Sequence, residues 1–110
     1  RVALCQIDTT VGDLRGNRDR MLAGYRRAVS FGVDLAVFPE LAITGYPPRD
    51  LLEQPAFLAA AREEAETVTR ETGSVGLLFG LPLPNNSGHG KPLRNGARLA
   101  ADGAVPATRE

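Results

Sequence analysis

The chain has 110 residues, 43% of them apolar, and its 13 basic side chains balance 13 acidic ones. That length holds one domain or part of one, and the apolar fraction is that of a folded domain rather than a disordered tract. The charge balance offers no stripe for nucleic acid and no basic face for a membrane surface, and no apolar run approaches the roughly 20 residues of a spanning helix.

Val2-Ala3-Leu4-Cys5-Gln6-Ile7 is a nearly continuous apolar run, the pattern of a strand covered on both faces. The run opens directly at Arg1, without the basic flank, longer apolar stretch and cleavage site of a signal peptide. The single Cys5 rules out an internal disulfide, which fits a reducing, cytoplasmic setting. Asp8 to Gly16 is rich in turn residues. From Asn17, read as an N-cap, apolar residues recur at Met21, Leu22, Tyr25, Ala28 and Val29, one face of a helix that Gly32 ends. Leu35-Ala36-Val37-Phe38 is a second buried strand, and Pro39 stops its ladder. Strand, helix and strand in this order predict a βαβ unit with parallel neighbours and a right-handed crossover.

Glu40 to Gln54 reads as a loop, and a helix starting near Pro55 carries the stripe Phe57, Leu58, Ala61, Ala65 and Val68 before Gly73. Residues 75–81 are a third strand, and 84–95 a loop of Gly, Asn and Pro. Its Asn85-Asn86-Ser87 matches a glycosylation sequon but reads as a polar loop. Residues 95–101 and 104–108 predict a hairpin around Asp102-Gly103. The order β-α-β-α-β-β-β defines an α/β layered sheet.

Among residues able to do chemistry, Glu40 stands out. It follows an apolar strand and Pro39, so it projects from the carboxyl end of a strand, where open α/β sheets place their sites. Partial desolvation there would suit a general base, and a capping or ion-paired Glu is the competing reading. Cys5 lies inside an apolar run without a neighbouring cation, the setting of an inert structural thiol. His89 has no second ligand at metal-binding spacing, and the glycines form neither a dinucleotide nor a Walker fingerprint. Arg62, Glu63, Glu64 and Glu66 read as a solvated helix face with i,i+4 pairs such as Glu66–Arg70.

Phe38-Pro39-Glu40-Leu41-Ala42-Ile43-Thr44-Gly45-Tyr46 resembles the signature around the catalytic Glu of the nitrilase, or carbon–nitrogen hydrolase, superfamily. Gly80-Leu81-Pro82-Leu83 is similar to its third-strand motif, and Asn95-Gly96-Ala97-Arg98-Leu99 through Asp102-Gly103 to its hairpin motif. Residues 6–17 and the stretch Thr44 to Leu52, continuing into Pro55-Ala56-Phe57, resemble the branch of glutamine-dependent NAD synthetases. Gly96 stands where a small Ala is usual, and Pro106 is awkward in a second hairpin strand, so some hairpin irregularity is expected.

The resemblance implies a four-layer αββα sandwich of which these residues form roughly the N-terminal half. It implies a Glu–Lys–Cys triad that hydrolyses the glutamine carboxamide through a thioester. Only the Glu carries over, onto Glu40; the Lys and the nucleophilic Cys are expected beyond residue 110, Cys5 is not the latter's equivalent, and the 110 residues alone are expected to be inactive. Tyr46 matches a Tyr lining the glutamine pocket, although a loop Tyr packed on a strand end fits equally well. No metal or cofactor is expected in this segment. ATP and Mg²⁺ belong to a C-terminal synthetase domain of the parent chain, which receives the ammonia and converts deamido-NAD to NAD, and the full-length form is expected to be a homo-oligomer. The alternatives are another superfamily amidase (omega-amidase or carbamoyl-amine hydrolase) or a non-catalytic scaffold.

Overall fold

The computed structural model describes residues 1–109. Five strands and two α-helices alternate as expected: β1 (Val2–Leu4), α1 (Leu14–Ser30), β2 (Leu35–Val37), α2 (Pro55–Arg70), β3 (Gly76–Pro84), β4 (Leu93–Ala101) and β5 (Ala104–Arg109). The strands form one sheet in sequence order, with β1, β2 and β3 parallel and the β3–β4 and β4–β5 pairs antiparallel. This is a mixed α/β layer pair.

Both helices cover the same face of the sheet. Met21, Leu22, Tyr25 and Ala28 of α1 and Ala61, Ala65 and Val68 of α2 pack on Ala36, Leu77, Phe79, Leu81 and Ala100, all buried. Ala36, Leu77 and Ala100 lie side by side in register, so this row is the floor of the core. The next row, Leu4, Val37, Leu78 and Leu99, points to the opposite face because side chains alternate along a strand. Leu4 is 77% exposed there. The expectation that β1 is covered on both faces is therefore corrected: β1 is an edge strand, and no described element packs on its second face. β1 is also shorter than the apolar run, although the Cys5 N–H still donates to Val37 O.

Helix α1 starts earlier than its apolar stripe suggests. Asp13, not Asn17, is the N-cap, its carboxylate accepting from the Gly16 N–H at 3.1 Å. Asn17 instead turns inward and is fully buried. Val29 falls off the buried stripe and is exposed. A 3-10 helix, Arg49–Glu53, interrupts the predicted 40–54 loop. The charged face of α2 is also less solvated than its composition suggests. Glu64 pairs with Arg18 of α1 at 2.7 Å and Glu66 with Arg98 of β4 at 2.8 Å, whereas Arg70 bonds Thr67. Guanidinium groups on neighbouring elements outcompete the predicted Glu66–Arg70 pair.

The β4–β5 turn has Asp102 at φ 53° and Gly103 at φ 73°, the left-handed pair that a tight two-residue hairpin requires. Leu99 faces Ala107 and Ala101 faces Ala104, so Val105 and Pro106 together oppose Ala100. This bulge is the irregularity expected at Pro106, which has no N–H to give the ladder.

Candidate active site

Glu40 leaves the carboxyl end of β2 and is held first through its backbone. The Phe38 N–H donates to Leu78 O, the Gly80 N–H to Pro39 O and the Ala42 N–H to Gly80 O, so β3 continues to grip the chain past Pro39. The grip requires glycine at position 80. A Cβ there would lie 2.5 Å from Leu41 N and 2.8 Å from Glu40 Cα, inside the contact distance of any backbone.

The turn that follows is buried, from Leu41 through Gly45, and several of its polar groups find partners within the protein. Asn17 Nδ2 donates to Ile43 O at 2.9 Å and to Thr10 O at 2.8 Å, while its Oδ1 accepts from the Thr10 N–H. The Gly12 N–H donates to Thr44 O, and the Gly45 N–H closes the turn on Leu41 O. Gly45, at φ 79°, lies so close to the 10–11 backbone that a Cβ would stand 2.7 Å from Val11 Cα. Leu41 itself adopts φ 49°, a left-handed conformation costing a bulky residue about 1–3 kcal/mol. The buried Leu41 side chain and the hydrogen bonds to its carbonyl hold it there. Strain and clamping thus converge on the residue next to Glu40.

The Glu40 side chain lies on the open face of the sheet and is exposed, so the expected desolvation is not supplied by the described residues. The physical reason is the same as for Leu4: the helices cover only the other face. Asn95 of β4 donates its side-chain amide to Glu40 Oε1. Glu40, Asn95, Gly96, Ala97, Val37 and Leu78 line a shallow depression of about 360 Å³. A carboxylate with one oxygen held and, among the described residues, no hydrogen bond on the other, beside an apolar floor, can accept a proton from a neighbouring acid.

Tyr46 is 62% exposed, so it is not packed on a strand end, and among the described residues no hydrogen bond joins it to Glu40. Cys5 is half-buried, and burial pushes its thiol above the ordinary value, offset in part by a backbone hydrogen bond with Val37. It lies on β1's extension, with Sγ 3.9 Å from Ala3 O, and makes no hydrogen bond to Glu40. His89 sits in the exposed 85–91 loop, its carbonyl accepting from Asn85. Among the described residues no group of three His, Cys, Asp or Glu could hold a metal ion, and no helix is long and apolar enough to cross a membrane. Asn95 was legible only as part of a hairpin motif, and Asn17 only as a cap.

A fold of this order with a carboxylate at the end of β2 defines a class, and residues 1–105 match the family described as carbon-nitrogen hydrolase. The chain belongs to that family. Among its relatives it is 36% identical over 109 residues to the glutamine-dependent NAD(+) synthetase of Xylella fastidiosa, covering 98% of this chain and 19% of the relative. It is 39% identical over 105 residues to the Thermotoga maritima protein of the same name, covering 96% of this chain and 18% of the relative. The glutamine-dependent NAD+ synthetase of Acinetobacter baumannii, solved in complex with adenosine diphosphate, superposes with a TM-score of 0.85 at 30% identity, over 97% of this chain and 20% of that one. An amidase from Nesterenkonia sp. superposes at 0.78 and 29% identity, over 97% and 40%. The chain thus spans about a fifth of the length of the synthetases it matches.

Proposed function

We propose that this chain carries the general base of a glutamine-hydrolysing site that supplies ammonia for NAD synthesis, with Glu40 as that base. The observation that carries the reading is the fixation of Glu40: its backbone is clamped over Gly80, its flanking turn is buried, and its carboxylate is exposed on the open face. Family membership and the synthetase relatives support it.

In this reading a Cys thiol, supplied outside these residues, gives its proton to Glu40, and the thiolate attacks the glutamine carboxamide carbon. A Lys stabilises the oxyanion of the tetrahedral adduct. Collapse of the adduct returns the proton from Glu40 to the leaving nitrogen, releasing ammonia and leaving a thioester. Water then attacks while Glu40 takes its proton, and the proton passes to the departing thiolate as glutamate leaves. One hard hydrolysis becomes two acyl transfers. Tyr46, exposed on the loop after the clamped turn, would contribute to the glutamine pocket. ATP and Mg²⁺ would act at a synthetase domain of the same polypeptide, in the cytoplasm, in an oligomer.

The test is Glu40→Gln in the full-length protein that carries this chain. Glutamine-driven NAD synthesis should fall about 10²–10⁴-fold, the usual loss on removing a general base. Synthesis from free ammonium should stay near wild type. Equal loss of both activities would assign Glu40 to the fold, and loss of neither would remove it from the chemistry. The likeness to the Nesterenkonia amidase favours a second reading, amide hydrolysis without a synthetase. Amidase activity without NAD synthesis from ammonium would select it.

A further inference from the structure

We infer that Asn95 is a positioning residue for Glu40, holding one carboxylate oxygen so that the other is presented to the reacting acid. The inference rests on the reading of Glu40 as general base. The contact is between Asn95 Nδ2 and Glu40 Oε1, and it joins residues 55 apart in sequence. Its assignment is fixed by chemistry: an ionised carboxylate only accepts, so the Asn must present its NH2.

The β3–β4 register explains why Asn95 reaches Glu40. Gly80 faces Ala97 and Pro82 faces Asn95, so Asn95 and Ala97 stand on the same open face, over the end of β3 where the Glu40 backbone crosses. The same hairpin therefore fixes Glu40 twice, the main chain through Gly80 and the carboxylate through Asn95. The second fixation matters because Glu40 is exposed and no described wall restrains its side-chain torsions. An amide suits the task. It donates without carrying charge, so it neither neutralises the base nor supplies a proton of its own near neutral pH. It also leaves the second carboxylate oxygen open within the depression shared with Val37, Leu78 and Ala97.

The experiment uses the full-length protein, with steady-state kinetics on glutamine and on ammonium and a thermal melt. Asn95→Ala should lower kcat for glutamine about 10–100-fold, the scale of a small misplacement of a reacting group. KM for glutamine, ammonium-driven synthesis and the melting midpoint should stay close to wild type, because Asn95 is exposed and carries no core packing. Asn95→Asp, which sets a like charge against Glu40, should lose at least as much. Asn95→Gln, which keeps the amide, should recover part of the rate. Wild-type kcat in both Asn95→Ala and Asn95→Asp would overturn the inference, as would parallel losses in the melt and in ammonium-driven synthesis. If Glu40→Gln abolishes glutamine use while Asn95→Ala does not, only the positioning role fails. If Glu40→Gln retains glutamine use, the base assignment falls and this inference with it.

Discussion

The two faces of the sheet are built from alternate residues of the same strands, yet they do different work. On one face Ala36, Leu77, Phe79 and Ala100 are sealed under two helices. On the other, Leu4, Val37, Leu78 and Leu99 form an equally apolar row that stays open, and Glu40 and Asn95 stand at its end. A one-residue step along a strand thus separates core from candidate chemistry. The contrast teaches that the covered face stabilises the layer pair, while the open face is free to carry a reactive group and a second layer.

Truncation should affect the two faces very differently. Phe79→Ala, at a site only 1% exposed, should cost about 3–5 kcal/mol, read as a lowered denaturant midpoint in the full-length protein. Leu4→Ser in the 110-residue chain should change stability by no more than about 0.5 kcal/mol. In the full-length protein the same substitution should cost roughly 1.5–3 kcal/mol, the worth of a buried Leu, if further polypeptide covers this face. A negligible cost in both would break the comparison by leaving the open row uncovered.

Gly80→Ala sharpens it from the other side. The added methyl would meet the backbone of Glu40 and Leu41, which cannot rotate away. A destabilisation of about 1–3 kcal/mol is expected from overpacking. Under the proposed reading, glutamine-driven activity of the full-length protein should fall further than that stability loss explains, because the displaced residue is the proposed base. Wild-type activity with unchanged stability would show that the turn can shift freely, contrary to its buried, hydrogen-bonded state.

A small effect is also expected at the covered face's rim. Glu66 is 44% exposed on its side chain and faces an Arg98 that is only 13% exposed. Glu66→Gln should cost less than about 1 kcal/mol, with the difference shrinking in high salt. A larger loss would mean that Arg98, whose buried Nε has no hydrogen-bond partner among the described residues, depends on that carboxylate for its compensation.

Periodicity and turn chemistry already placed most of the architecture. Both helices, the βαβ order, the Asp102-Gly103 hairpin and the irregularity at Pro106 follow from local preferences that act over a few residues. The position of Glu40 was legible for the same reason, since an apolar strand stopped by Pro39 projects the next side chain from its end. The conformations and partners that prepare Glu40 were not legible, because they are made between distant segments. Asn17 looks like a cap until Ile43, 26 residues away, offers it a carbonyl. Glu66 looks solvated until Arg98, 32 residues on, reaches it. Which face of the sheet stays open is decided by both crossover helices falling on the same side, a consequence of chain topology and not of any local run. The sequence alone therefore determined the elements, the tight turn and the suspect carboxylate. Only the tertiary structure decided how that carboxylate is held, because the Gly80 crossing and the Asn95 amide exist only once β3 and β4 have paired.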